Sequence, residues 1–384
     1  MPTNHHLKEN PFKENRHDHK MIGRTAELRK IIACCEEAMN GKYPTIVPMT
    51  GAFGMGKTFT LLQLRELLRE SERYNKPKKV LTAYFVATEE KFPTKYSHYV
   101  YTRIIDDLGK EGMMYLREEL EKTHVHEDKL LAKLREDDFR NVFKNMKDQP
   151  DLAWAWFRGA SLSAKQLEKL DAFSRIKGDE EAGRCLLDLL RLLKALGYDG
   201  FVILMDELEQ VYGQGSAAIS KTLIWMRELY DRVVRILSQD QEEIVPVMIV
   251  FGCAPEAWQA ILVDIDKKQM KGVGGGLRAL RDRIPEENET VLKPFDLKEM
   301  HELLQELLSK SWMPNFKPTE PVYPFNEEAT YKILEISQGI PRFIIRCSRI
   351  LLREADEENK NIDKNTTDRW LRKAGILISA SREE

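Results

Sequence analysis

TIVPMT (45–50), GAFGMGKT (51–58) and FTLLQLRELL (59–68) form the stretch that decides the fold. The first piece is short, apolar and runs into a glycine-rich turn, as a buried strand of a parallel sheet does. The last piece carries Phe59, Leu61, Leu62, Leu64, Leu67 and Leu68 near helical spacing, which predicts an amphipathic helix. Between them Gly51, Ala52, Phe53, Gly54, Met55, Gly56, Lys57 and Thr58 fit the pattern GxxxxGK(S/T). The chemistry needs this spacing because glycines let the chain curl until successive N–H groups point at phosphate oxygens. The helix that follows adds the positive end of its dipole. Lys57 is then placed for the β- and γ-phosphates of a nucleotide, and the Thr58 hydroxyl for Mg²⁺.

Outward from this loop, the next signal is FVILMDELEQ at 201–210. An apolar run that ends in Asp206 and Glu207 puts two carboxylates at the carboxyl edge of a sheet, where ligands bind in open α/β folds. Asp206 is expected to hold Mg²⁺ through water, and Glu207 to orient and polarise an attacking water. A second acid beside the magnesium carboxylate favours hydrolysis over phosphoryl transfer to a small molecule. Glu209 reads as a solvated neighbour. Further apolar runs at 80–88, 244–252 and 289–293 read as strands. They alternate with amphipathic helices, which predicts an αβα core on a parallel sheet. The second and third strands lie too far apart for one crossover helix, so about 96–198 is expected to be a large helical insertion. The chain is expected to divide into an N-terminal arm at 1–20, a P-loop core at 21–293 and a C-terminal helical lid at 294–384.

Composition narrows the class of partner. Of 384 residues, 60 are Lys or Arg and 62 are Asp or Glu, a formal net charge of −2. That excludes attachment to nucleic acid by bulk charge alone and leaves room for a local basic surface. The five cysteines form no CxxC pair and read as reduced thiols, with Cys34 and Cys35 an inert vicinal pair. The start, MPTNHHLKENPF, lacks the apolar segment of a signal peptide. The longest apolar run, 244–255, is shorter than the roughly 20 residues of a membrane helix. A cytoplasmic protein is expected. Tyr96, Tyr99, Tyr101 and Phe92 read as core packing, and Trp154 and Trp156 as interior anchors of the insertion. His124 and His126 fall in a charged stretch with no zinc geometry.

Taken together, strand–GAFGMGKT–helix, VILMDE (202–207), a further strand and a helical module with Gly339-Ile340-Pro341-Arg342 resemble the AAA+ ATPases, in their origin-recognition branch. Asn10-Pro11-Phe12, then Ile22-Gly23-Arg24 and Glu27-Leu28, are similar to that branch's opening motif, which in the family lies against the adenine. The GIPR string resembles its sensor-2 motif and implies that Arg342 touches the γ-phosphate from the lid of the same chain. WAWFRGASLS (154–163) and LGYDGFVILMDELEQVY (196–212) are similar to the ATP-binding components of BREX-type phage-defence systems. The resemblance implies ATP and Mg²⁺ as ligands, hydrolysis, and an oligomer in which an arginine before the fifth strand reaches the next subunit's nucleotide. Arg283 fits that place best and Arg281 second. Two departures stand out. Strand four ends Gly252-Cys253-Ala254-Pro255 where the family has a polar Asn, Ser or Thr, so slow turnover is expected. Too few residues follow Arg342 for the branch's winged-helix module, so DNA binding by that route is not expected.

The expected role is an ATP-driven component of a DNA-transaction or phage-defence complex. The alternative is an ATP-gated oligomeric switch with slow turnover and a protein partner. DNA contact would fall to two basic features. Arg346, Arg349 and Arg353 follow Arg342 at spacings of four, three and four on one helix face, and a basic loop at 267–283 opens on a glycine-rich stretch, 267–276, that reads as flexible.

Overall fold

The computed structural model describes residues 5–13, 21–69, 79–88, 91–122, 127–270 and 275–376. Five parallel strands form one sheet: β1 (Thr45–Thr50), β2 (Val80–Val86), β3 (Gly200–Asp206), β4 (Val247–Cys253) and β5 (Thr290–Val291), in the order β2-β3-β4-β1-β5. β1, β3 and β4 are buried at every position. A strand covered on both faces has no solvent side, so its sequence is a continuous apolar run rather than an alternation. The register pairs Thr50 with Cys253 and Val86 with Asp206, so the ends of β1, β3 and β4 share the carboxyl edge.

β5 is shorter than the predicted run at 289–293. The Lys293 carbonyl accepts a 2.6 Å hydrogen bond from the Arg24 guanidinium, and Pro294 has no N–H to give a ladder.

α1 (Thr25–Gly41) precedes β1, and α2 (Lys57–Arg69) follows the glycine loop. Six helices fill the interval between β2 and β3: α3 (Tyr96–Lys122), α4 (Glu127–Leu131), α5 (Asp137–Lys144), α6 (Pro150–Phe157), α7 (Ala164–Glu168) and α8 (Asp179–Ala195). This is the helical insertion. Its core holds Tyr96, Tyr101, Phe139, Phe143, Trp156 and Phe157, all buried, and the Trp156 indole donates to the Ser174 carbonyl at 2.7 Å. A fully buried Asp188 is compensated on three sides. It accepts from the Arg135 and Glu136 amides at 3.0 and 2.7 Å and from Arg191 at 2.7 Å, as a buried charge requires. His124 and His126 lie outside the described residues.

After β3 come α9 (Leu208–Gly213) and α10 (Ser216–Gln239), and after β4 come α11 (Pro255–Met270) and α12 (Gly275–Arg281). The chain ends in α13 (Leu297–Ser309), α14 (Glu327–Ser337), α15 (Pro341–Glu358) and α16 (Lys364–Lys373).

Two compact units result. One comprises Leu28–Thr50 and Leu61–Val291 and carries the sheet and the insertion. The other comprises Met1–Glu27, Gly51–Thr60 and Leu292–Glu384. The glycine loop thus groups with the terminal helices. In that unit Leu7, Phe12, Leu304, Ile344, Leu351 and Trp370 share a core, and Phe12 meets Phe325 edge to face at 5.8 Å. This corrects one expectation. With its ring fully buried in the helical core, Phe12 has no surface to offer an adenine. Among the described residues no helix is long and apolar enough to cross a membrane.

Candidate nucleotide site

The loop Gly51–Thr58 is built as a cradle. Gly54 and Gly56 have φ of +84° and +88°, a region that costs a residue with Cβ roughly 1–2 kcal/mol. A Cβ on Gly56 would meet nothing within 4 Å, so its positive φ rather than crowding calls for glycine there. Lys57, at the start of α2, is 8% exposed, and its ammonium donates to the Gly51 carbonyl at 2.9 Å across the mouth of the loop. Thr58 is half-buried in the first turn of α2. Ala52 and Phe53 are exposed at the tip, whereas Met55 is buried.

Arg342 reaches this loop from the terminal helices. It sits in the first turn of α15, its main-chain N–H donates to the Gly54 carbonyl at 3.2 Å, and its guanidinium lies 4.8 Å from the centre of the Phe53 ring. A Cβ on Gly54 would stand 3.0 Å from the Arg342 Cβ, so the glycine also permits this close approach.

Ile22 is half-buried against the lid core, and Gly23 takes φ +65°. The next residue, Arg24, went unassigned in the sequence reading. It is 3% exposed and ties three segments together, donating to the carbonyls of Lys293 (2.6 Å) and Met55 (3.1 Å) and pairing with Glu27 (3.3 Å). Burial pulls its guanidinium pKa down, with Glu27 and Glu299 acting in opposition.

The acidic element belongs to the sheet unit. Asp206 closes β3 at 1% exposure and accepts two hydrogen bonds, from the Tyr84 hydroxyl on β2 (3.0 Å) and from the Glu207 amide (2.9 Å). Burial and the neighbouring Asp206 push the Tyr84 phenol pKa up, which keeps it a donor. Glu207 takes a left-handed backbone (φ 57°, ψ 42°), uncommon for a residue with Cβ, and accepts from the Gln210 amide. Glu209 is not the free neighbour expected from the sequence. Its carboxylate accepts the Ala254 N–H at 3.2 Å and fastens the residue after β4. Cys253, at the end of β4, is fully buried beside Thr50, whose hydroxyl donates to Glu289 at 3.3 Å.

Arg283 lies in the sheet unit against α10. It donates to Asp231 at 2.8 Å and to the Ala279 carbonyl, and stacks over Tyr230 at 5.7 Å. The stretch 267–283 is not the flexible loop expected: 267–270 form the last turn of α11 and 275–281 form α12, with 271–274 outside the described residues. Arg346, Arg349 and Arg353 are exposed on α15.

The donors present fit Mg²⁺ bound with phosphate. Among the described residues no group of three or more His, Cys, Asp or Glu forms a self-sufficient metal site. Mg²⁺ is held instead by one or two carboxylates together with phosphate oxygens and water. Thr58 in the unit of the glycine loop and Asp206 in the sheet unit are each a donor of the kind that pattern uses.

No curated protein matches the chain in sequence. Among solved structures, the Aeropyrum pernix ORC2 protein in its ADP form is 11% identical and superposes with a TM-score of 0.52, covering 96% of this chain and 73% of the other. The A. pernix ORC1 protein in complex with DNA is 13% identical over 95% of this chain and 68% of the other, with a TM-score of 0.46. The first of these likenesses shows the fold, which this chain shares with that ORC2 protein. The model of the family described as "BREX system ATP-binding protein BrxC/D" matches residues 113–311, from α3 through the acidic strand end to the first residues after α13. Since that match spans just over half of the chain, the protein belongs to the BrxC/D family of BREX ATP-binding proteins.

Proposed function

We propose that this protein hydrolyses ATP, with the glycine loop holding the phosphates and the end of β3 supplying the acids. The observation that carries the reading is Arg342: the lid places an arginine on the phosphate loop itself, bonded to Gly54 and stacked on Phe53. Lys57 and the loop amides bind the β- and γ-phosphates, and Arg342 offsets charge on the γ-phosphate. Thr58 and Asp206 would hold Mg²⁺, which lends charge neutralisation at the phosphates. Glu207 orients the attacking water and takes its proton, its left-handed backbone setting the carboxylate apart from Asp206. Ile22 and Gly23 border the base. Arg283 is the arginine offered to the nucleotide of a neighbouring subunit, once it exchanges Asp231 for phosphate. The protein acts as the ATP-consuming part of a phage-defence complex.

A second reading has its own observation. The fully buried thiol of Cys253 ends β4 where the resemblance calls for a polar side chain to position water. This favours slow turnover, with ATP acting as a gate on a protein assembly. Phosphate release and ATP affinity, measured together, separate the two. Turnover that Glu207→Gln removes while ATP still binds supports hydrolysis. Tight ATP binding with an ATP-dependent assembly state and no turnover supports the gate. Failure of the chain to bind ATP contradicts both.

A further inference from the structure

The lid carries cations that the nucleotide chemistry does not use. Arg346, Arg349 and Arg353, one to three turns beyond Arg342 on α15, line an open cavity of about 640 Å³ together with Lys13 of the N-terminal arm. Ile350 and Ala374 give it apolar surface. Asn10 fixes the arm here. Its side-chain amide donates to the Arg349 carbonyl at 3.0 Å, and its side-chain oxygen accepts the Phe12 N–H at 3.1 Å. Some of the charge is answered within the chain: Lys13 pairs with Glu9 (2.8 Å), and Arg353 with Glu354 (2.9 Å) and Glu357 (3.9 Å). Arg346 is exposed and makes no ion pair or side-chain hydrogen bond among the described residues.

Spacing identifies the ligand. From Arg346 to Arg353 the helix rises about 10.5 Å at 1.5 Å per residue. One nucleic-acid strand presents a phosphate about every 3.4 Å along the duplex axis, so the run covers about three phosphate intervals, an extended array rather than a single anion. Arginine forks donate to phosphate oxygens in pairs, and exposed cations beside apolar surface suit a backbone flanked by sugars. We propose that this groove binds the phosphate backbone of a nucleic-acid strand, with Arg346, Arg349 and Arg353 spread along its phosphates and Lys13 as the fourth cation. The proposal rests on the ATPase reading for its purpose but not for its chemistry. The helix whose first turn holds Arg342 would carry the strand contacts, so nucleotide and strand act on one element.

The test is fluorescence anisotropy of labelled single-stranded and duplex DNA with the full chain, between about 50 and 200 mM salt. Over that range the wild type should lose roughly 20- to 40-fold more affinity than the Arg346→Glu/Arg349→Glu/Arg353→Glu variant, the difference expected from three phosphate contacts. The triple variant should keep ATP binding. Lys57→Ala should lose ATP and keep the DNA, which separates failure of the groove from failure of the nucleotide site. If the triple variant does not fold, Arg346→Glu alone should lower the salt slope by about 0.9 for duplex. Unchanged affinity and slope in the variants overturn the proposal. So does full displacement of the strand by millimolar inorganic phosphate, which marks a single-anion site. Binding of polyglutamate instead of DNA, lost in the same variants, overturns it in favour of an acidic protein partner.

Discussion

The glycine loop and the acidic strand end are constructed by opposite means. The loop is shaped at main-chain groups: positive-φ glycines, the Gly51 carbonyl that takes the Lys57 ammonium, and the Gly54 carbonyl that takes the Arg342 amide. The acidic end is shaped by side chains reaching from other elements: Tyr84 to Asp206, Gln210 to Glu207, and Glu209 to the Ala254 amide. A main-chain cradle tolerates almost no change of residue type. A side-chain frame distributes the work among several replaceable donors.

Substitutions can break or sharpen that contrast. Lys57→Ala should have the largest effect, lowering ATP affinity more than a hundredfold, about 3 kcal/mol or more, by isothermal calorimetry. Arg24→Ala comes next. It removes charge-assisted bonds to Lys293 and Met55 from a buried position, and thermal unfolding should show a loss of about 3 kcal/mol. Arg24→Lys should recover only part of this, because one ammonium cannot replace a fork that serves two carbonyls. Gly339→Ala should destabilise the lid by about 2 kcal/mol. Gly339 has φ +70°, and its Cβ would stand 2.4 Å from the Phe295 carbonyl oxygen. The smallest effect belongs to the side-chain frame. Tyr84→Phe takes one donor from Asp206 and should slow turnover about tenfold, roughly 1.5 kcal/mol, with ATP affinity nearly unchanged. Should Tyr84→Phe abolish ATP binding, or Gly339→Ala cost nothing, the contrast fails.

The same contrast explains what was legible in the sequence. Main-chain requirements leave residue-type signatures. Gly54, Gly56 and Lys57 stand at fixed spacing because only those types satisfy the loop, and the buried strands read as apolar runs because both faces are covered. The glycine of the GIPR string marks a backbone approach to Phe295. Side-chain frames leave no such trace. Tyr84 looks like any aromatic in a strand, and nothing near Glu209 in the chain signals its bond to Ala254. Arg24 was passed over because its partners lie at Met55 and Lys293, far along the chain. Phe12 misled for a related reason: an aromatic in a motif-like string can serve the lid's core as readily as a ligand. The stretch at 267–283 was judged by its glycines and lysines, yet helices occupy most of it.

The most direct measurement is steady-state phosphate release by the purified chain with Mg-ATP, run beside Glu207→Gln with ATP affinity measured in the same samples. The wild type should turn over ATP, and the variant should show a fall of about 10²–10⁴ with ATP affinity preserved. Equal turnover in the two proteins would show that Glu207 is not the base and would contradict the assignment of the acidic strand end.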